Sequence, residues 1–446
     1  MSPTTAPSRR RFLQAAAASA AAPFILPSRV WSAETAPSGK LIMGFVGMGK
    51  QSRGLLNRFL ADEGVQVVAV CDVDTTRRNA AKDTVDKKYG NTDCKALNEF
   101  RQITENPSIN AVCIATPDHW HALVSLSALT HGKDVYCEKP LTHNIHEALV
   151  LIDAARQNHR VLQTGSMQRS MQEFRVACEL VRNGVIGKIS RVDTSFGDPA
   201  VPNANPAEDM EPGLDWDRWC GPGPLAPYSS VLSPRGLHNH FPQWRMAREY
   251  GGGMICDWGA HHIDIAHWGL GMDENGPVEV VPPADWNNPR ARGAQLVYAN
   301  GVVVTHVTGK GVSFFGSEGE VHVNRGKFEL VLKGETKHKF WDKTVDKQTS
   351  LQREYTLSER EYLVDAKVKL HNSADQIKDF LACVKSRQKP ICDVAIGASS
   401  AIACHLMNFA YYHGAKIKWN PTEHKFISGG DDRWLTREYR GEWKVA

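Results

Sequence analysis

The sequence lacks several features that would point to particular classes of protein. It has no long run of basic residues, and its formal charge of +4 comes from 53 basic and 49 acidic residues. Four of the arginines lie within residues 1–33, a stretch without acidic residues, so the rest of the chain is neutral. A neutral chain gives no electrostatic reason to expect nucleic acid or an anionic membrane surface as its partner.

The sequence after its N-terminal segment also lacks the patterns typical of a membrane-spanning helix and of a disulfide framework. After the N-terminal segment, no stretch reaches the roughly 18 uninterrupted apolar residues of a spanning helix, so we expect no membrane insertion of the mature form. The ten cysteines include no Cys-x-x-Cys pair. Cys71, Cys113 and Cys137 lie in apolar, strand-like runs, where cysteine is usually a small buried hydrophobe. We therefore expect mostly free, buried thiols.

The sequence consists of an N-terminal targeting segment followed by a large globular chain. The 446 residues, 42% hydrophobic and 23% charged, predict two or three packed domains. Arg9, Arg10 and Arg11 precede Phe12-Leu13 and an alanine-rich run, the order of a twin-arginine export signal. We predict that residues 1–36 form this signal and that the mature protein is periplasmic or otherwise exported. An ordinary disordered N-terminus is the alternative.

A regular alternation begins at residue 40. An apolar strand at residues 41–46 is followed by Gly47-Met48-Gly49, a helix at 52–60, and a second strand at 65–71 that ends in Asp72. This order and spacing is typical of a dinucleotide-binding Rossmann unit, which we place at residues 39–165. Further strands at 111–115 and 134–137 place Thr116-Pro117 and Glu138-Lys139-Pro140 at the sheet edge where such units bind ligands.

Each residue of the fingerprint has a physical task. Gly47 permits the tight turn, and Gly49 lets the backbone approach a pyrophosphate at the helix N-terminus. Asp72 accepts a hydrogen bond from a ribose hydroxyl, which favours NAD, because a carboxylate repels a 2′-phosphate. Ser52 stands where a third glycine is usual, and Arg77-Arg78 lie close by. NADP therefore remains possible.

Three motifs together resemble the Gfo/Idh/MocA oxidoreductase family, which includes glucose-fructose oxidoreductase and inositol dehydrogenase. They are the Gly47-Met48-Gly49 turn, Glu138-Lys139-Pro140, and the segment from Gly251 to Asp264 with its Asp257-x-Gly259-x-His261 pattern. The resemblance implies a Rossmann domain followed by an α/β domain with a large, mostly antiparallel sheet, spanning residues 166–370. Residues 371–446 would brace the two domains, and a homodimer or homotetramer is expected.

The resemblance also implies roles for individual residues. Lys139 would hydrogen-bond the reacting hydroxyl, and Asp257 and His261 would handle its proton. The residues expected to hold a tightly bound cofactor are Gly47, Gly49, Lys50, Asp72, Thr116, Pro117, His121, Glu138, Lys139, Gln168 and Arg169. The residues expected near the substrate are Trp219, His238, Trp244 and Asp264.

The spacing of the last motif suits proton transfer. Residues 254–270 predict a helix on which Asp257, His261 and Asp264 share one face. Carboxylates on either side of a histidine would fix its tautomer and stabilise its charged form. His262 faces about 100° away. A metal site could draw on His238, His240, His261, His262, Asp264 and His267, but their spacing matches no ligand motif, so no metal is expected.

The remaining pattern is less regular. Residues 198–245 are rich in proline and predict a long ordered loop, whose tryptophans either line a carbohydrate site or anchor the loop. Strand-like runs occupy 277–283, 294–308, 311–315, 320–324 and 327–333. Residues 334–365 read as charged and irregular, and 373–386 and 394–413 as helices.

These features favour an exported NAD(P)-dependent enzyme that moves hydride to or from a secondary alcohol of a sugar or sugar derivative. A redox-neutral glycoside hydrolase or lyase acting through a transient keto-sugar is the alternative. A non-catalytic sugar-binding protein is a third possibility, and Lys139, Asp257 and His261 weigh against it.

Overall fold

The computed structural model describes residues 39–288 and 290–445. The predicted export signal at residues 1–36 therefore lies outside the described residues. Within them the chain builds two α/β units, each organised around its own sheet.

The first unit is a six-stranded parallel sheet in the order β3-β2-β1-β4-β5-β6. Its strands are β1 Leu41–Val46, β2 Val65–Cys71, β3 Lys95–Leu97, β4 Ala111–Ile114, β5 Asp134–Cys137 and β6 Leu162–Thr164. The helices that follow them are α1 Lys50–Leu60, α2 Thr75–Tyr89, α3 Arg101–Thr104, α4 Asp118–Thr130 and α5 Ile145–Gln157. Strands β4 to β6 are buried throughout, as expected of a parallel sheet covered by helices on both faces.

The strand order reverses between β1 and β4, and a crevice opens there at the carboxyl ends of the strands. Gly47 directly follows β1 and has φ +82°. A Cβ at this position would lie 2.7 Å from the backbone nitrogen of Thr116. Only glycine lets the turn after β1 approach the loop after β4 this closely.

The second unit is a ten-stranded sheet in the order β14-β13-β12-β11-β7-β10-β9-β8-β15-β16. Only the central β7–β10 pair is parallel. The strands are β7 Ile189–Ser195, β8 Glu279–Val281, β9 Gln295–Val297, β10 Val303–Val307, β11 Val312–Gly316, β12 Gly319–Asn324, β13 Lys327–Leu332, β14 Glu335–Phe340, β15 Ile417–Asn420 and β16 Lys425–Ser428. The predicted fold class, a Rossmann sheet followed by a mostly antiparallel one, is confirmed.

Helices join the two units. They are α6 Gln172–Arg182, α7 Trp216–Cys220, α8 Gly253–Leu270, α9 Leu351–Tyr362, α10 Gln376–Ser386 and α11 Val394–His413. Helix α8 packs against β7 and β11 of the second sheet, and α11 packs between α8 and α5 of the first unit. Helix α11 is long and apolar enough to cross a membrane, but it is almost wholly buried inside the protein, as a core helix is.

Two sequence predictions need correction. The run at 294–308 is two strands, β9 and β10, because the chain turns tightly at Asn300-Gly301, where Gly301 has φ +83°. The stretch 334–365 is not irregular: it contains β14 and α9. Strand β14 is polar along most of its length and lies at the sheet edge. Helix α9 is capped by Ser350, whose side chain accepts from the backbone N–H of Arg353.

The long segment between β7 and α8 crosses over to the first unit. Asp74 at the N-terminus of α2 accepts from the backbone N–H of Gly236 at 2.9 Å and pairs with Arg235. The C-terminal tail makes a similar return, since Arg437 donates to the backbone oxygen of His119 at 2.7 Å. All ten cysteines are free and buried, which confirms the prediction.

Candidate active site

One large cleft lies between the carboxyl edge of the first sheet and helix α8. It is open to solvent at its mouth and runs from the Gly47–Gly49 turn to Lys139 and Asp257. Fourteen predicted site residues line it, thirteen of which are Gly47, Gly49, Lys50, Asp72, Thr116, Pro117, His121, Glu138, Lys139, Trp219, His238, Trp244 and Asp257. His261 lines it as well.

The glycine turn fits a pyrophosphate. Gly49 occupies the N-cap position of α1, where no side chain caps the helix, and the first turn contains no acidic residue. A Cβ at Gly49 would meet no atom within 4 Å, so the space above it is open. Unpaired backbone N–H groups at a helix N-terminus attract an anion.

Asp72 fixes the shape of this turn. Its Oδ2 accepts from the backbone N–H of Met48 at 2.6 Å, and its Oδ1 accepts from that of Asp74 at 2.8 Å. Burial raises the pKa of Asp72, although Arg77 and these backbone donors oppose the shift. Each oxygen keeps a lone pair, so Asp72 can still accept from a ribose hydroxyl.

His121 joins two loops at the edge of the sheet. Its Nδ1 lies 2.7 Å from the backbone oxygen of Pro140, and its Nε2 lies 3.0 Å from that of Thr116. Burial lowers the pKa of His121 to about 4, so the ring is neutral and donates to one of the two carbonyls. His121 thus positions the two loops rather than presenting a free nitrogen to a cofactor.

Lys139 and Asp257 meet from opposite sides of the cleft. The Lys139 ammonium bonds Oδ1 of Asp257 and also donates to its backbone oxygen at 3.1 Å. Oδ2 of the same carboxylate lies 3.4 Å from Nε of Arg245. Burial alone would raise the pKa of Asp257, but Lys139 and Arg245 outweigh it and the pKa is lowered. Asp257 is therefore a carboxylate shared between two cations.

His261 lies one helical turn after Asp257 on α8. Burial, together with the positive charges of Lys139 and Arg325, holds the pKa of His261 well below its usual value. Its Nδ1 is buried without a hydrogen-bond partner among the described residues, so Nε2 is the nitrogen that reaches the cleft. This corrects the expectation of a histidine charged by flanking carboxylates: the ring is neutral, because burial and the nearby cations disfavour its charged form.

Three predicted residues lie outside the cleft. Arg169 is buried, and its Nε and Nη2 bind Asp264 at 2.8 and 2.9 Å; its Nη2 also binds Asp273. Asp264 follows Asp257 by about 10 Å along α8 at 1.5 Å per residue, which carries it past the cleft although both share one face. Gln168 is also fully buried outside the cleft. Arg169 and Asp264 therefore satisfy each other inside the protein, whereas Oε1 and Nε2 of Gln168 are buried without a partner among the described residues.

The aromatic residues of the long segment divide between two tasks. Trp216 stacks on Trp219 with ring centroids 4.4 Å apart and meets Tyr228 edge-on, so Trp216 and Tyr228 anchor the segment. Trp219 and Trp244 also line the cleft. His238 lies 3.3 Å from Nη2 of Arg77, which places it at the nucleotide end rather than beside Lys139.

Comparison with known proteins agrees with this architecture. Residues 41–166 match the family model described as the oxidoreductase family, NAD-binding Rossmann fold. Residues 199–314 match the oxidoreductase family's C-terminal alpha/beta domain, so the two models together cover more than half of the chain. The chain belongs to the Gfo/Idh/MocA oxidoreductase family.

Several members of this family are similar to the chain. Inositol 2-dehydrogenase 1 of Paenarthrobacter aurescens is 29% identical over 36% of this chain and 47% of its own length. A glycosyl hydrolase family 109 protein of Saccharopolyspora erythraea is 30% identical over 33% of each chain. The matched segments thus span less than half the length of these curated relatives. The aldose-aldose oxidoreductase of Caulobacter crescentus shares the fold with a TM-score of 0.57 and 19% identity, over 85% of this chain and 99% of the other.

Several charged residues of this Gfo/Idh/MocA site were not predicted from the sequence, among them Asp118, Arg245 and Arg325. Asp118 is the first residue of α4, and burial raises its pKa to about 7 despite the positive charge of Arg245. Arg245 contacts Asp257, and Arg325 reaches the cleft from the turn between β12 and β13. Asp118 follows Thr116-Pro117 directly and could have been found, whereas Arg325 carries no local signal. Within 39–288 and 290–445, no group of three or more His, Cys, Asp and Glu side chains is arranged to hold a metal ion.

Proposed function

We propose that this protein transfers hydride between a tightly held nicotinamide dinucleotide and a secondary alcohol of a sugar or sugar derivative. One observation carries the proposal: Lys139, Asp257 and His261 converge in the cleft whose other end is the Gly47–Gly49 turn. The names of an inositol dehydrogenase and an aldose-aldose oxidoreductase among the similar proteins support a polyhydroxylated substrate.

The three residues divide the work on the alcohol. The Lys139 ammonium, held in place by Asp257, donates a hydrogen bond to the hydroxyl oxygen of the substrate and stabilises the negative charge that grows there. Neutral His261 accepts the hydroxyl proton at Nε2. When bound, the nicotinamide supplies the acceptor for the hydride that leaves the same carbon. For reduction of a ketone the proton moves in the opposite direction.

The nucleotide end supports NAD rather than NADP. Asp72 presents a carboxylate where a 2′-phosphate would place its charge. Arg77, the nearby cation, is already engaged: its Nε donates to the backbone oxygen of Gly236 at 3.0 Å, and its Nη2 bonds that of Pro234. A guanidinium tied to the long segment has few donors left for a phosphate.

We further propose export by the twin-arginine route and assembly as a homodimer or homotetramer. The support for export is the order of charged, apolar and proline residues at positions 8–27. A folded protein carried across the membrane would take its nucleotide with it. Little free NAD is expected outside the cytoplasm, so the nucleotide would be regenerated on the enzyme.

An absorbance spectrum of the purified, dialysed protein tests the proposal. We expect a nucleotide signal that survives dialysis and an increase at about 340 nm when a substrate sugar is added, as reduced nicotinamide forms. A panel of sugars, inositols and glycosides covers the substrate class. A protein that retains nucleotide but responds to no member of the panel would contradict hydride transfer and favour a sugar-binding role.

A second candidate function is redox-neutral cleavage of a glycoside through a transient ketone. Oxidation of a sugar hydroxyl to a ketone acidifies the neighbouring C–H bond, which loses its proton. The glycosidic C–O bond then breaks as the departing oxygen takes a proton. Water adds to the resulting double bond, and the ketone is reduced again. Asp118 supports the cleavage hypothesis because burial raises its pKa to about 7, so the carboxyl can keep a proton near neutral pH and donate it to the departing oxygen. The glycosyl hydrolase named among the relatives supports it too.

Replacing Asp118 with asparagine separates the two functions. We expect Asp118→Asn to abolish release of the aglycone from a p-nitrophenyl glycoside while hydride transfer to the bound nucleotide continues. In the unmodified protein, cleavage should fall as the pH rises through about 7, since the acid form of Asp118 is then lost. Equal loss of both activities in the variant would contradict a separate acid role.

A further inference from the structure

The cleft contains one guanidinium that nothing in the described part of the chain satisfies. Nε and Nη2 of Arg325 are buried and have no hydrogen-bond partner there. Its contact within the protein is with the ring of Trp258, 4.4 Å from the guanidinium carbon. Leaving a buried charged donor without a partner is costly, so such a group points to a missing acceptor.

The other cations of the cleft are already engaged. Lys139 and Arg245 take the two oxygens of Asp257. Arg218 pairs with Asp215 at 3.0 Å, and Lys50 lies over the ring of Phe241. Among the described residues no acceptor lies within hydrogen-bond distance of Nε or Nη2 of Arg325, so a bound molecule is the partner that the site calls for.

The unpaired atoms identify the shape of that acceptor. Nε and Nη2 form one edge of the guanidinium, with two parallel N–H bonds that match the two oxygens of a carboxylate. Arg169 shows the same edge when it is filled, since its Nε and Nη2 bind the oxygens of Asp264 at 2.8 and 2.9 Å. In Arg325, which lines the cleft, this edge has no partner among the described residues.

The position of Arg325 is set by its hairpin. It lies in the two-residue turn between β12 and β13, where Asn324 pairs with Lys327. The backbone N–H of Gly326 donates to Oε1 of Glu173 on α6 at 3.0 Å, which ties the turn to a helix. The charge therefore comes from a fixed backbone, near enough to Asp257 and Glu138 to feel both.

We propose that the substrate carries a carboxylate and that Arg325 binds it bidentately, so that the preferred substrate is a sugar acid such as a uronate or an aldonate. This inference rests on the proposed function at the same cleft. A phosphate ester fits less well, because a second negative charge would approach Asp257 and Glu138. Arg325 would thus determine which sugars are accepted, while Lys139 and His261 act on the hydroxyl.

Matched ligands test this directly. Glucuronate and glucuronamide, and the corresponding galacto and manno pairs, differ only in whether the terminal group carries a charge. Binding to the protein with its nucleotide bound is measured by the quenching of tryptophan fluorescence. We expect at least one acid to bind about 10-fold more tightly than its amide. Arg325→Gln should bring the two within about twofold, and Arg325→Lys should keep part of the difference because it keeps the charge but loses the fork.

Arg191→Gln is the control variant. Arg191 also stacks on an aromatic ring, that of Phe315 at 4.0 Å, but it is exposed and lies outside the cleft. It should leave every acid-to-amide ratio unchanged. Equal binding of acid and amide in all three pairs of the unmodified protein, or an unchanged ratio in Arg325→Gln, would overturn the inference.

The outcome also distinguishes this inference from the proposed function. If neutral sugars reduce the bound nucleotide and acids have no advantage, the hydride-transfer proposal stands and the role of Arg325 is wrong. If acids bind through Arg325 but no sugar or sugar acid changes the absorbance at about 340 nm, the recognition is right and the proposed reaction is wrong.

Discussion

Replacing His261 with alanine should lower the rate of hydride transfer by about 10²- to 10⁴-fold, the range expected when a positioned general base is removed. The imidazole is neutral before substrate arrives because it is buried near Lys139 and Arg325. The nucleotide should remain bound, since the glycine turn is untouched. Lys139→Ala should have an effect of similar size, because the hydroxyl oxygen then loses its charged donor.

Single-turnover absorbance at about 340 nm measures this effect independently of product release. His262→Gln is the matched control, because His262 is the next residue on the same helix but its Nδ1 lies 2.7 Å from the backbone oxygen of Ser195, away from the cleft. It should transfer hydride at close to the normal rate. Normal turnover in both His261→Ala and Lys139→Ala would contradict the assignment of the site.

Adding a side chain at Gly49 should remove the nucleotide while leaving the fold intact. The backbone there has φ −69°, which any residue adopts, and a new Cβ meets no protein atom within 4 Å. That open space is where a pyrophosphate would lie against the backbone. We expect Gly49→Ala to weaken nucleotide binding about tenfold or more, equivalent to about 1.4 kcal/mol, and Gly49→Val to weaken it further.

Gly54→Ala provides the control in the same helix. Gly54 also has no atom within 4 Å of its Cβ position, but it is exposed on α1 away from the turn. Its replacement should keep the nucleotide and stabilise the helix by about 0.5–1 kcal/mol. The nucleotide content after gel filtration, measured beside the melting temperature, separates loss of binding from loss of folding. Full nucleotide content in Gly49→Val would show that the pyrophosphate lies elsewhere.

The elements that could be predicted from sequence are those whose signals are local. Strands β1 and β2 follow from short apolar runs, and the glycine turn between them follows from its spacing. Strand β14 could not be predicted, since an edge strand that buries only His338 shows little apolar alternation. The division of 294–308 could have been, because Asn300-Gly301 is a hairpin signal.

The residues of the cleft could also be predicted from the sequence only where their signals are local. Residues directly after parallel strands, such as Asp72, Thr116 and Lys139, could be placed together because the ends of those strands meet at one edge. Asp264 could not, because sharing a helical face with Asp257 says nothing about how far the cleft extends along the helix. Arg325 is separated from Lys139 by most of the second unit, and only the sheet order brings its hairpin to the cleft.

The tail gives the cleft a particular order of assembly. Trp443 forms part of the cleft wall and packs edge-on against Trp120 with ring centroids 5.1 Å apart. The wall that begins at Val46 is therefore incomplete until Trp443 has emerged from the ribosome, about 400 residues later. A nucleotide that needs the complete wall can therefore be held only after nearly the whole chain has been synthesised.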